Sequence, residues 1–231
     1  MTSPLRLAIV TPIDGSPTTG QVHAAYDSAK CRLMSARGGI YEGFMSADIV
    51  RARNRAVGHV RTLDVSHVLW WDSDVAPEVE HVVPMVDAML SLDVPLVGVG
   101  YPRKHDDGRI PLVEMGDRPR IGANQCRPVA AMGFGFMLTS RALLDQMWER
   151  YESELWYLDV LTSGKIQRLV GLFDLRYNTQ APHGWVGPWR ERLSEDYSFC
   201  LRALEMGVQP MMYCGPGTPV KHIGGKAYEA G

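Results

Sequence analysis

His67-Val68-Leu69-Trp70-Trp71-Asp72-Ser73-Asp74 decides how this chain folds. Residues 67–71 form an unbroken run of strand length without polar alternation, the pattern of a strand covered on both faces. The run leads directly into two carboxylates, so the acids stand at the carboxyl end of a buried strand. Upstream, residues 5–10 read as a first strand, stopped by the turn-forming residues 12–20. A helix is expected from Ser46 or Asp48, because Ile49, Ala52, Ala56, Val60 and Leu63 recur at three- and four-residue steps. Arg51, Arg55 and His59 then form its opposite, wet face. Downstream, Val82, Val83, Val86, Met89 and Leu90 mark a helix entered near Pro84, and residues 94–99 form another buried strand. This alternation predicts an α/β fold with a mostly parallel central sheet flanked by helices.

Residues 101–127 break the pattern. They are dense in Arg, Lys and Asp with several Gly and Pro, and they read as a long functional loop. Residues 133–139 resume as a strand, and Ser140 is placed to cap a helix through about Tyr151. Residues 157–192 are a second irregular region. A helix begins after Ser194 and ends at Gly207, a strand lies near Met211, and Gly215-Pro216-Gly217 leads to Lys221-His222-Ile223-Gly224.

A chain of 231 residues, 45% hydrophobic, suits one domain with a sizeable core. Its 24 basic and 26 acidic residues give a formal charge of -2, which excludes the whole-surface cationic field of a nucleic-acid-coating protein but leaves room for a local basic patch. Cys31, Cys126, Cys200 and Cys214 lack paired zinc-ligand spacing and read as reduced thiols. The opening apolar run, split by Arg6 and stopped by Pro12, is too short for a signal peptide, and no stretch approaches a membrane span. A soluble, cytoplasmic protein is expected.

Asp72 and Asp74 are the sharpest chemical feature. Two carboxylates one residue apart at a strand end can address one hard divalent cation; the bland alternative is a turn whose Asp74 caps the next helix. Placing both beside a buried strand is costly unless something neutralises them. Ser194-Glu195-Asp196 reads either as an ordinary N-cap with first-turn acids or as a general base aimed into the crevice. Arg53 falls on the inner seam of its helix, where it needs an anionic partner such as a diphosphate, unless it snorkels to the helix edge. His222, joined to Asp72 and Asp74, would make a mixed oxygen and nitrogen set suited to manganese better than magnesium.

Together these elements resemble the GT-A glycosyltransferases, nucleotide-sugar-dependent enzymes built on one Rossmann-like α/β domain with an Asp-x-Asp motif. The resemblance runs through Thr11-Pro12-Ile13-Asp14, Ala52-Arg53-Asn54-Arg55-Ala56-Val57, Leu69-Trp70-Trp71-Asp72-Ser73-Asp74-Val75 and Gly133-Phe134-Gly135-Phe136-Met137-Leu138. It closes with Ser194-Glu195-Asp196-Tyr197 and Val220-Lys221-His222-Ile223-Gly224. It implies a single glycosyltransferase domain over residues 1–231, with a nucleotide-sugar-binding half (1–100) and an acceptor-side half (101–231).

The same resemblance implies a site. Thr11, Asp14, Arg53, Asp72 and Ser73 would bind the donor; Asp72, Asp74 and His222 would hold Mn2+ or Mg2+. Asp196 would act as base with Glu195 in support, an assignment that presumes inversion at the sugar carbon. Arg103, Lys104, Trp185 and Trp189 fall on the acceptor side, the tryptophans either stacking on a sugar or base or anchoring a loop. The donor would be a nucleoside-diphosphate sugar, with a UDP-sugar expected. The resemblance extends to small bacterial and phage enzymes with a Ser-Glu-Asp helix and a terminal His-Ile-Gly, some of which glycosylate hydroxymethylated pyrimidines in DNA. Hydroxymethylated DNA is therefore one acceptor candidate, beside a glycan or a protein.

Asp72-Ser73-Asp74-Val75 also fits the nucleophile motif of haloacid-dehalogenase-like phosphatases, although a strand and a helix precede it here and the later motifs are missing. A sugar-nucleotide pyrophosphorylase would need a Gly-rich, basic loop after the first strand, which Asp14-Gly15-Ser16-Pro17-Thr18 does not supply. A non-catalytic sugar-nucleotide-binding module is the remaining alternative.

Overall fold

The structure is a computed structural model describing residues 6–13, 24–102, 112–114, 125–161, 163–178, 191–223 and 227–228. In chain order the elements are β1 (Leu7–Ile13), α1 (Ala24–Arg37), β2 (Ile40–Met45), α2 (Ile49–Val60), β3 (His67–Trp71), β4 (Val75–Ala76), α3 (Val82–Leu90), β5 (Leu96–Val99), β6 (Leu112–Glu114) and β7 (Cys126–Met132). They continue with β8 (Phe136–Ser140), α4 (Arg141–Leu155), β9 (Trp156–Val160), β10 (Ile166–Val170), β11 (Tyr177–Asn178), β12 (Glu191–Arg192), α5 (Glu195–Glu205), β13 (Met211–Tyr213), β14 (Lys221–Ile223) and β15 (Ala227–Tyr228).

An eight-stranded sheet in the order β2-β1-β3-β8-β5-β13-β7-β6 forms the middle layer. Six of its strands point one way, while β8 and β7 run against them. Trp70 and Trp71, both fully buried, show why β3 is apolar throughout. Trp70 joins the cluster under α2, α4 and α5, and Trp71 joins the cluster under α1 and α3. Successive side chains of one strand thus fill two cores, which makes this a three-layer α/β fold.

Helix ends follow local chemistry. Asp48 caps α2 by accepting from the Val50 and Arg51 amides, Ser140 caps α4 by accepting from Leu143 N–H, and Ser194 caps α5 by accepting from Tyr197 N–H. Past α5, Gly207 takes a φ of 78°, the left-handed conformation glycine adopts without strain.

Several expectations need correction. The apolar pattern predicts no element over residues 24–45, yet α1 and β2 lie there. The loop expected over 101–127 contains β6 and the start of β7, and the irregular region 157–192 contains the β9–β10 hairpin. Asp74 caps no helix: it leads into β4, and α3 starts after His81. Arg51 and Arg55 are not simply wet, because their guanidiniums hold the buried Asp159 of β9 through Nε at 2.7 and 2.5 Å. No helix among the described residues is long and apolar enough to cross a membrane, and all four cysteines are free thiols.

Candidate active site

Antiparallel pairing of β3 with β8 sets the site. The ladder ends at Trp71 opposite Phe136, and one further bond from Asp72 N–H to the Gly135 carbonyl (3.0 Å) carries it to the first acid. Trp71 Nε1 donates to the Val75 carbonyl (2.7 Å) and Val75 N–H to the Asp72 carbonyl (3.1 Å), closing residues 72–75 into a tight turn that leads into β4.

Arg53 is the hub. Its side chain is 2% exposed, reaching from the inner face of α2 over the rings of Phe134 and Phe173, each 5.6 Å from the guanidinium. Nη2 donates to both Asp72 oxygens at 3.1 Å, and Nη1 meets Glu195 Oε1 at 3.3 Å and Asp196 Oδ1. The inner-seam reading of Arg53 is therefore right about burial and about the need for an anion, but its partners here are the chain's own carboxylates. Three carboxylates around one guanidinium leave the centre with a net negative charge, a setting that favours a further cation. Burial raises the Asp72 carboxyl above its ordinary range; Arg53 opposes the rise, and Asp74 and Glu195 add to it.

The N-terminus of α5 supplies Glu195 and Asp196. Asp196 Oδ2 accepts the Phe134 amide at 3.1 Å, so the backbone of residues 134–135 holds the Asp196 carboxylate on one side and the main chain of Asp72 on the other. Asp196 also lines a cleft of about 300 Å³ with Tyr101, Gly133, Ser194, Tyr197 and residues 191–193. Ser194 caps the helix, and Asp196 in its first turn lines the cleft.

His222 sits on β14, which pairs with β4 in the register His222 to Val75. Its Nδ1 lies 2.8 Å from the Pro102 carbonyl. A carbonyl only accepts, so Nδ1 donates to it and Nε2 is the ring nitrogen turned to Asp74 Oδ2, 3.5 Å away. An imidazole nitrogen and a carboxylate oxygen at this spacing are donor types that a divalent cation accepts, and a backbone carbonyl on the far ring nitrogen is the usual support for a metal-ligating histidine.

The expected trio does not close as a set. Asp74 and His222 are adjacent, but Asp72 is turned to Arg53, and among the described residues no three His, Cys, Asp or Glu side chains form a metal cluster. Thr11 is fully buried, with its hydroxyl 2.5 Å from Tyr26 Oη, so that side chain serves the packing of β1 on α1 and not a ligand. Ser73 lies in the turn between the two acids, partly exposed. Asp14, Arg103, Lys104, Trp185 and Trp189 fall outside the described residues.

Sequence reasoning missed Tyr101. It stands just past the end of β5, 7% exposed, with its ring edge-on to His222 at 5.2 Å between centroids and its Oη accepting Gly135 N–H at 3.0 Å. The signal available was Gly133-x-Gly135, two glycines around Phe134 in the short link between β7 and β8. A methyl group at Gly133 would overlap the Tyr101 hydroxyl, and one at Gly135 would lie 2.7 Å from its Cζ.

No family model and no curated protein sequence matches the chain. Among solved structures it is similar to A197 from STIV, at 14% identity with a TM-score of 0.56, covering 95% of this chain and 86% of that one. It is more distantly similar to CMP:2-keto-3-deoxy-manno-octonic acid synthetase complexed with CTP (9% identity, TM-score 0.45, 92% of each chain). A third match is a glycosyltransferase involved in glycosylation of the major capsid of PBCV-1 (10% identity, TM-score 0.34, 62% of this chain and 66% of that one). The likeness to A197 bears on the fold alone, and the other two scores are too low to carry an inference about function.

Proposed function

We propose that the protein is a metal-dependent glycosyltransferase that moves a sugar from a nucleoside-diphosphate sugar, a UDP-sugar by preference, to an acceptor hydroxyl. One observation carries this reading. The Asp72–Arg53–Asp196 centre and the Asp74–His222 pair stand side by side at the carboxyl end of β3, with a cleft alongside. Ligands of open α/β sheets bind in that crevice.

In this reading Asp74 and His222 hold a divalent cation. When bound, the ion neutralises the negative charge of the leaving diphosphate. Arg53 keeps Asp72, Glu195 and Asp196 together against their mutual repulsion. Asp196, aligned by the Phe134 amide, keeps carboxylate lone pairs for a substrate hydroxyl in the cleft. The acceptor oxygen bonds to the sugar's anomeric carbon, and the bond from that carbon to the diphosphate oxygen breaks with its electron pair on the diphosphate. The acceptor proton passes to Asp196.

The bidentate grip of Arg53 on Asp72 disfavours the phosphatase reading, because an aspartate nucleophile must present an oxygen to phosphorus. Mass spectrometry after incubation with Mn2+, a panel of nucleotide sugars and hydroxymethylated DNA, glycan or protein acceptors tests the proposal. A hexose or pentose mass gain on one acceptor supports it and names the acceptor class. Absence of any nucleotide-sugar binding by calorimetry, with or without Mn2+, overturns it. Asp196→Asn is expected to bind donor and lose turnover; unchanged turnover removes Asp196 from the role of base.

A further inference from the structure

Tyr101 is built into the site more deliberately than core packing requires. Its Oη takes the Gly135 amide proton as acceptor, yet the hydroxyl's own proton meets no acceptor among the described residues. The side chain is more than nine-tenths buried and lines the same cleft as Asp196. A phenol is neutral at physiological pH and keeps its proton to donate. Two glycines make way for it, since a side chain at either Gly133 or Gly135 would collide with its ring or hydroxyl. The Gly135 bond and the His222 ring fix its direction, so the cost of orienting the donor is met in the fold and not at binding.

We infer that Tyr101 is a specificity-determining residue whose hydroxyl donates a hydrogen bond to an oxygen of the transferred sugar in the cleft beside Asp196. The inference rests on the proposed glycosyl transfer. There the sugar's anomeric carbon must lie within reach of the base, so the sugar occupies the Asp196 cleft, while the diphosphate belongs to the Asp74–His222 side. A site that hydrogen-bonds a substrate hydroxyl rejects the analogue lacking it, because its own polar group is then left buried and unpaired.

The test is calorimetry of wild type and Tyr101→Phe in Mn2+. The probes are UDP, UDP-glucose, UDP-galactose, UDP-N-acetylglucosamine, GDP-mannose and dTDP-glucose, followed by the monodeoxy analogues of whichever sugar nucleotide binds wild type tightest. Tyr101→Phe is expected to bind the matching nucleoside diphosphate within twofold of wild type and the sugar nucleotide about tenfold more weakly. One monodeoxy analogue loses about tenfold on wild type and nothing further on the variant. A purely structural Tyr101 would shift melting temperature without that pattern.

Equal loss for diphosphate and sugar nucleotide, or no loss for either, overturns the inference and leaves the glycosyltransferase reading standing. Failure of wild type to bind any of the nucleotides overturns both. Should the Phe variant not fold, 3-fluorotyrosine at position 101 gives an independent readout. Its 19F resonance is expected to move with the sugar nucleotide and not with the nucleoside diphosphate, and a resonance that ignores the sugar overturns the inference.

Discussion

Replacing Arg53 with Met tests the electrostatic account of the site. In wild type one guanidinium serves Asp72, Glu195 and Asp196. Methionine keeps much of the packing against Phe134 and Phe173 but leaves three carboxylates facing one another. Removing one partner of a buried ion pair costs about 3–5 kcal/mol, a large share of the roughly 5–15 kcal/mol that holds a domain together. At about 2–4 °C per kcal/mol for a chain of this size, the melting temperature should fall by about 6–20 °C at neutral pH.

The loss should also depend on pH, with a definite sign. Burial already raises the Asp72 carboxyl and Arg53 is the main influence against it, so the variant's folded state binds a proton there still more tightly. A carboxyl whose folded pKa is raised costs stability as pH rises from the ordinary carboxylate value through the folded one, and returns it on acidification. Urea unfolding from pH 8 to pH 5, taken as the difference from wild type at each pH, should therefore narrow toward acid. Adding Asp72→Asn to Arg53→Met should recover part of the loss at pH 7. A difference that is flat with pH and indifferent to Asp72→Asn would refute this account.

Four further outcomes are expected. Asp159→Ala removes the carboxylate that Arg51, Arg55 and Gln167 share, leaving the arginines the Val160 carbonyl of the hairpin, and should cost about 2 kcal/mol, with faster hydrogen exchange in β9 and β10 as the readout. Burial alone would raise the Asp159 carboxyl, but hydrogen bonds from Arg55, Arg51 and Gln167 hold it below its ordinary value. Its contribution is thus constant above that ordinary value and disappears as pH falls through the folded one, which hydrogen exchange at pH 3 to 6 would show. Gly135→Ala drives a methyl to 2.7 Å from Tyr101 Cζ and 2.8 Å from Val75 Cγ2 and should cost about 1–3 kcal/mol in thermal unfolding, less when Tyr101→Leu opens the space. Iodoacetamide at pH 8 should label exposed Cys31 well before Cys200, whose buried thiol is pushed up to about 12, until denaturant exposes it.

The parts of the fold legible in the sequence are those where burial and pattern agree. β3 is apolar because both faces are covered, and the Asp48, Ser140 and Ser194 caps are local chemistry that tertiary contacts do not overrule. The hairpin escaped for the opposite reason. In β9 the apolar Trp156, Leu158 and Val160 are exposed while Asp159 is buried, so the alternation is inverted, and arginines from α2, about a hundred residues earlier, together with Gln167 make it tolerable. α1 buries just Tyr26, Ala29 and Leu33, too narrow an apolar stripe to stand out among its polar neighbours. At the site, the acids announced themselves by position, but their gathering on one arginine did not, because residues 53, 72, 195 and 196 meet only through the sheet.

The place of β8 bears on how the chain can be made. It lies between β3 and β5, and β5 finds its two neighbours in β8 and β13. A nascent chain released only to residue 100 therefore has β1, β2 and β3 side by side and β5 with no lane to join. The first hundred residues are not a folding unit, and the sheet must wait on the ribosome until about residue 140 has emerged to bridge the gap. A version cut at residue 100 should regain the crevice at the end of β3 only when the two pieces are refolded together.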